Sequence, residues 1–218
     1  MGTSGLLIFD LDGTLFRTEL VTVPAVAKSF QAHGLAIPPD EAICSFFGKP
    51  APEFNVWVRS LCPPEVVSAV IAAIDGNEMA LISQAGELYP GVREALAELR
   101  ASVGQMALCS NGKHAYVSRV LAVHGLEPFF AVVRHRESAQ DNKLSMVREL
   151  LGRLKSRPAL VIGDRSDDIA AAHRNGLRAI AATYGYGTAE ELQAADAVAH
   201  SPSDLPDLVR RLLAGTAG

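Results

Sequence analysis

Leu6-Leu7-Ile8-Phe9-Asp10-Leu11-Asp12-Gly13-Thr14-Leu15 is the stretch on which the fold of this chain turns. Its apolar start predicts a short buried strand, and Asp-x-Asp-Gly ends that strand in a turn. Side chains alternate along a strand, but a glycine turn lets both carboxylates face one small volume above the sheet edge. Like charges so placed repel unless a cation lies between them or one holds a proton, which are conditions of a reactive site. Taken alone, the same residues also read as an ordinary turn whose aspartates bond local backbone N–H groups.

Working outward, short apolar runs recur at 6–9, 106–109, 129–133, 160–162 and 179–182. Helical stripes lie between them. Leu144, Val147, Leu150, Leu151 and Leu154 share one face, and Val117, Val120 and Leu121 share another that Gly125 stops. The alternation predicts an α/β fold, a Rossmann-like doubly wound parallel sheet whose ligand crevice lies beyond the carboxyl ends of its strands. Residues from about 17 to 88 break the pattern, with helix-like stretches at 20–33, 39–47, 52–61 and 64–83 and no convincing strand. The expected organisation is a core of residues 1–17 and 89–218 with a helical cap, residues 18–88, inserted into it. At its exit, Leu88-Tyr89-Pro90-Gly91-Val92 is expected to start a core helix with proline near the first turn. The tail, 214–218, is expected to fray.

Composition narrows the function. The 218 residues are 49% hydrophobic and 20% charged, with a net charge of -4 and a pI near 5.9. There is no basic footprint for a phosphate backbone, so nucleic acid is not expected as a partner. Cys44, Cys62 and Cys109 are odd in number and lack C-x-x-C spacing, which suits reduced thiols in the cytoplasm. No basic, apolar leader and no membrane-length run is read, so export and membrane insertion are not expected.

The other strand ends carry the remaining chemistry. Ser110-Asn111-Gly112 offers a hydroxyl and backbone N–H groups before a helix, a ready anion site as well as an ordinary turn. Lys113 does not make it a P-loop, because the glycine spacing is wrong and no Ser or Thr follows the lysine. Gly163-Asp164-Arg165-Ser166-Asp167-Asp168 gathers three acids at a strand end, where Mg²⁺ would find hard oxygen ligands. One of Asp167 and Asp168 is expected to cap the next helix. Lys143, at the start of the Leu144 helix, opposes the helix macrodipole and is explained by an anion in front of it.

These motifs, Asp10-x-Asp12-Gly-Thr, Ser110-Asn111, Lys143 and Gly163-Asp164-x-x-x-Asp168, occur in the order of the haloacid dehalogenase superfamily. The chain resembles its helical-cap, phosphoglycolate phosphatase-like branch. The resemblance implies that Asp10 attacks phosphorus to form an aspartyl-phosphate, while Asp12 serves as acid and then base, with a pKa above that of Asp10. It also implies Mg²⁺ held by Asp10, the Asp12 backbone carbonyl and Asp164, with Asp168 in the inner or outer shell. Ser110, Asn111 and Lys143 would then hold the phosphoryl oxygens. Relatives that cleave carbon–halogen or phosphonate bonds lack an acid at the position of Asp12, so its presence implies a phosphatase or a phosphomutase.

The implied substrate is a small phosphorylated metabolite, phosphoglycolate-like or a sugar phosphate, handled by a monomer or homodimer. A nucleotidase-like phosphatase, a sugar phosphomutase and a receiver-like or regulatory binding protein are the alternatives. Two departures from the family pattern stand out. Leu144 follows Lys143 where many relatives have proline, with a looser lysine loop as the expected effect, and Arg165 replaces a common Ser or Thr. Specificity is expected from the cap loop Phe46-Phe47-Gly48-Lys49-Pro50, where Lys49 would meet a substrate carboxylate or second phosphate. Trp57 reads as cap core, His114 as helix surface and Cys109 as a buried thiol.

Overall fold

The computed structural model describes residues 3–214, so of the expected tail only 215–218 lie outside the described residues. In chain order the strands are β1 (Thr3–Phe9), β2 (Val103–Lys113), β3 (Val132–Arg136), β4 (Ala159–Gly163), β5 (Arg178–Ala182) and β6 (Ala197–Ala199). The helices are α1 (Glu19–Ala32), α2 (Asp40–Cys44), α3 (Ala51–Leu61), α4 (Val67–Gln84), α5 (Val92–Ser102), α6 (His114–Val123), α7 (Lys143–Leu154), α8 (Ser166–Arg174), α9 (Ala189–Leu192) and α10 (Leu205–Ala214).

All strands pair in parallel, in the order β3-β2-β1-β4-β5-β6. The first strand is therefore central. Its period of two explains why both faces are buried: Leu7 and Phe9 pack with Leu96 and Leu99 of α5, Val117 and Val120 of α6 and Val209 of α10. Leu6 and Ile8 point the other way, onto Met146, Val147 and Leu150 of α7 and Ile169 and Ala172 of α8. Chain order reverses on either side of β1, which puts the carboxyl ends of β1, β2 and β4 around one crevice.

Helices α1 to α4 fall between β1 and β2 and gather a hydrophobic cluster of their own, including Val26, Phe30, Ile43, Phe47, Val58, Val70 and Ile74. The chain leaves for this helical insert and returns from it at paired positions. The Arg17 N–H donates to the Glu87 carbonyl at 2.9 Å, and the Tyr89 N–H to the Leu15 carbonyl at 3.0 Å. An antiparallel bridge joins Phe16 and Leu88.

Several elements differ from the sequence expectation. The run at 129–133 becomes a strand only from Val132, because Glu127–Phe129 closes a 3-10 turn with Pro128 near its start. Phe130 then meets Phe9 edge-on at 6.2 Å. Pro90 lies before α5 rather than within its first turn, since Gly91, at φ +87°, takes the cap position. The helix expected over 39–47 shortens to α2, and Gly48, at φ +76°, turns the chain toward α3. No described helix is long and apolar enough to cross a membrane. Cys44, Cys62 and Cys109 are all free.

Candidate active site

Asp10 follows directly on β1, where its N–H donates to the Ile162 carbonyl of β4 at 2.8 Å and continues the strand pairing. The chain then turns at Gly13, φ +79°, and any Cβ there would stand 2.2 Å from Asp164 Oδ2. Glycine is therefore required by both conformation and space. The tight turn brings Thr14 Oγ1 back to donate to Asp164 Oδ1 at 3.1 Å.

Lys143 is buried at the first position of α7, despite lysine's ordinary preference for solvent. Its Nζ lies 2.6 Å from Asp10 Oδ1 and 2.7 Å from Asp168 Oδ1, and it donates to the Cys109 carbonyl at 2.8 Å. Three acceptors thus take its three donors. A capping box closes the turn before it: Asn142 Oδ1 accepts the Ser145 N–H at 2.9 Å, and Ser145 Oγ accepts the Asn142 N–H at 3.2 Å. Asp168, at the third position of α8, accepts the Arg165 N–H at 3.2 Å with its other oxygen. Gly163 makes room for it, because a Cβ would lie 2.2 Å from Asp168 Cγ.

Asp12 occupies a different environment. Its Oδ1 accepts from Thr18 Oγ1 at 2.7 Å and from the Tyr116 hydroxyl at 2.6 Å. Ser110 and Asn111 are buried beside it at the end of β2, where Ser110 Oγ accepts the Gly112 N–H at 3.0 Å. Five of the sequence-predicted groups, Asp10, Asp12, Asp164, Asp168 and Lys143, together with Ser110 and Asn111, are thus buried around one crevice. Lys49 lines the same cleft as Asp12 and Asn111, from the opposite side. It sits on the insert, 5.3 Å over the Phe46 ring.

Burial raises the Asp10 pKa well above its ordinary value; Lys143 opposes the rise, while Asp168, Asp164 and Asp12 add to it. Asp12 is also raised by burial, but hydrogen bonds from Tyr116 and Thr18 moderate the shift. Repulsion from three neighbouring carboxylates thus falls on Asp10, whereas Asp12 is held mainly by hydroxyl donors. Asp164 is pushed up to about 7 by burial and by Asp168. Burial would lower the Lys143 pKa, yet Asp10 and Asp168 hold it well above the usual range.

Such crowding calls for more positive charge than one lysine supplies. Oxygens of Asp10, Asp164 and Asp168 lie within 4.8 Å of one another, and Asp10 Oδ2 is buried without a hydrogen-bond partner. This donor set, all hard carboxylate oxygen, fits Mg²⁺.

Several contributors were not read from the sequence. Thr18, just before α1, and Tyr116 of α6 reach Asp12, and Tyr116 lies one position ahead of the stripe seen from Val117. Tyr186 holds Asp164 Oδ2 with its N–H at 2.8 Å, donates its hydroxyl to Glu19 of α1, and meets Phe47 edge-on at 4.8 Å. Asn111 Nδ2 donates across the crevice to the Gly48 carbonyl at 2.9 Å. Arg165 is a seam residue: it donates to the Tyr186 carbonyl at 3.1 Å, pairs with Glu191 at 3.1 Å, and lies against Gly48. Trp57 stacks on Phe46 at 4.9 Å within the insert. His114 is exposed and contacts His135, and the buried Cys109 thiol is pushed up to about 12.

Residues 7–182 match the family model described as haloacid dehalogenase-like hydrolase. A phosphoglycolate phosphatase of Vibrio parahaemolyticus is 30% identical over 94% of this chain and 95% of its own length. A phosphoglycolate phosphatase of Cereibacter sphaeroides is also 30% identical, over 95% of this chain and 99% of its own. Among solved structures, a predicted phosphoglycolate phosphatase from Haemophilus somnus has the same fold, with a TM-score of 0.86 at 21% identity, covering 96% of this chain and 99% of that one.

Proposed function

Since the chain belongs to the haloacid dehalogenase-like hydrolase family and is a phosphoric monoester hydrolase, we propose that it cleaves a small phosphate monoester in two steps at Asp10, with Mg²⁺. The observation that carries this is the unequal placement of the two first aspartates. Asp10 is gripped by Lys143 at 2.6 Å, whereas Asp12 is held by two hydroxyls beside the open cleft.

In the first step an Asp10 oxygen attacks phosphorus as the bond to the leaving oxygen breaks, giving an aspartyl-phosphate and an alkoxide that Asp12 protonates. In the second, Asp12 takes a proton from water as it attacks, and Asp10 leaves as carboxylate with free phosphate. Burial raises the Asp12 pKa, the direction that an acid carrying this proton requires. Lys143, Ser110 and the Asn111 N–H meet the non-bridging oxygens, where charge develops. Asp168 keeps Lys143 in position, and Thr14 and the Tyr186 N–H fix Asp164.

The residues that would hold Mg²⁺ are Asp10, the Asp12 backbone carbonyl and Asp164, with Asp168 beside them. The ion would neutralise the repulsion between nucleophile and phosphate. Residues 18–88 would act as a cap that excludes water and carries substrate selectivity. The relatives point to phosphoglycolate or a comparable sugar phosphate as substrate. The test is phosphate release from such esters with and without EDTA, beside Asp10→Asn. That variant should lose at least about 10³-fold in kcat. Turnover unaffected by EDTA, or retained in the variant, would sink the mechanism.

A further inference from the structure

Beyond Asp12 the cleft runs under the insert, between Phe46, Phe47, Phe54 and Ile74, with Glu78 in its wall. Its volume is about 110 Å³. An enclosed cavity of about 150 Å³ admits a benzene ring, so this smaller cleft, open at its mouth, takes part of one ring and no long chain. The aromatic wall offers a flat apolar face, against which the ring of a polyol can lie while its hydroxyls point elsewhere.

The charges in the cleft do not favour a second anion. Lys113 is already paired with both oxygens of Asp75, at 2.9 and 2.7 Å. Lys49 sits over the Phe46 ring, and the carboxyl groups of Asp12, Asp75 and Glu78 outnumber the two lysines of the lining. Thr22 donates to one Glu78 oxygen, and a carboxylate has further lone pairs to offer. Burial pushes Glu78 up to about 7.

Resting on the phosphatase reading, we infer that Glu78 determines leaving-group selectivity: it accepts a hydroxyl from an uncharged, ring-sized alcohol lying on the phenylalanine wall, and disfavours leaving groups that carry a carboxylate. Lys49 is then part of the wall rather than a carboxylate receptor.

The test compares kcat/KM for glucose 6-phosphate and phosphoglycolate in the wild type, Glu78→Gln and Phe54→Ala. The wild type should prefer the ring ester. Glu78→Gln should lose on the ring ester and gain on phosphoglycolate, so that their ratio moves about tenfold or more. Phe54→Ala should weaken the ring ester, mainly through KM, more than phosphoglycolate. A purely structural role for Glu78 would depress both esters together. Wild-type preference for phosphoglycolate, or a ratio that Glu78→Gln moves by less than about threefold, overturns the inference and leaves the phosphatase reading intact. Turnover of neither ester, by contrast, removes the phosphatase reading and this inference with it.

Discussion

On the sheet side of the cleft each reacting group is locked by short bonds to its neighbours, whereas on the insert side the groups are placed by how helices pack. Lys143 has three acceptors within 2.8 Å, and Asp164 is tied by Thr14 and Tyr186. Across the cleft, Phe46, Phe54 and Glu78 are set by helix packing and ring contacts, and Asn111 to Gly48 joins the two sides. The sheet side is rigid where bonds must form and break. The insert side touches those atoms at few points, chiefly Thr18 on Asp12 and Gly48 on Asn111.

Lys143→Met breaks the comparison most severely, because it leaves Asp10 and Asp168 buried without their cation. Removing one partner of a buried pair costs about 3–5 kcal/mol, and the phosphoryl contact is lost as well. Denaturant unfolding should show that drop alongside a kcat reduced by about 10³-fold. A variant with unaltered stability and turnover would mean that the sheet side is not locked through this lysine.

Gly48→Ala probes the seam. A Cβ at φ +76° would stand 2.8 Å from Arg165 Cγ, and left-handed backbone costs a non-glycine residue about 1–2 kcal/mol. Steady-state kinetics should show KM rising severalfold with kcat less affected. An equal fall in kcat with no change in KM would place the seam's effect on the chemistry instead.

The smallest effect concerns the insert alone. With a folded pKa raised from 4.5 to about 7, Glu78 binds more proton in the native state than in the unfolded chain through that interval. Its contribution therefore becomes less favourable as pH rises from about 4.5 to 7 and levels off above it. Burial is the main cause, with Asp12 and Asp75 adding to the rise and Thr22 and Lys113 opposing it. Glu78→Gln removes this dependence, so its melting temperature relative to wild type should increase between pH 5 and pH 8. A difference that is flat with pH would show that Glu78 does not titrate in that interval.

The same contrast explains what could be read from the sequence. Strand-end motifs are local: Asp10, Asp12, Ser110, Lys143, Asp164 and Asp168 each announce themselves by an apolar run that stops, or by a charge at a helix start. Their partners do not. Tyr116 reaches Asp12 across 104 positions and Thr22 reaches Glu78 across 56, and no spacing in the sequence encodes either meeting. At three residues, β6 was too short to show a period. Arg165, which departs from the family's pattern, becomes intelligible only when Gly48 and the Tyr186 carbonyl are found against it.

The paired connections at Leu15–Arg17 and Glu87–Tyr89 give the chain a property of another kind. Because both ends of the intervening segment are fastened side by side, the sheet experiences it as a closed loop, whatever that loop contains. A foreign helical segment spliced between those points would begin and finish at the same two anchors, provided that it also supplied the apolar contacts that Val21 and Ile82 make with the core. The backbone thus crosses between the two parts at one narrow neck, and what an exchanged segment would have to match is the seam at Gly48 and Phe47.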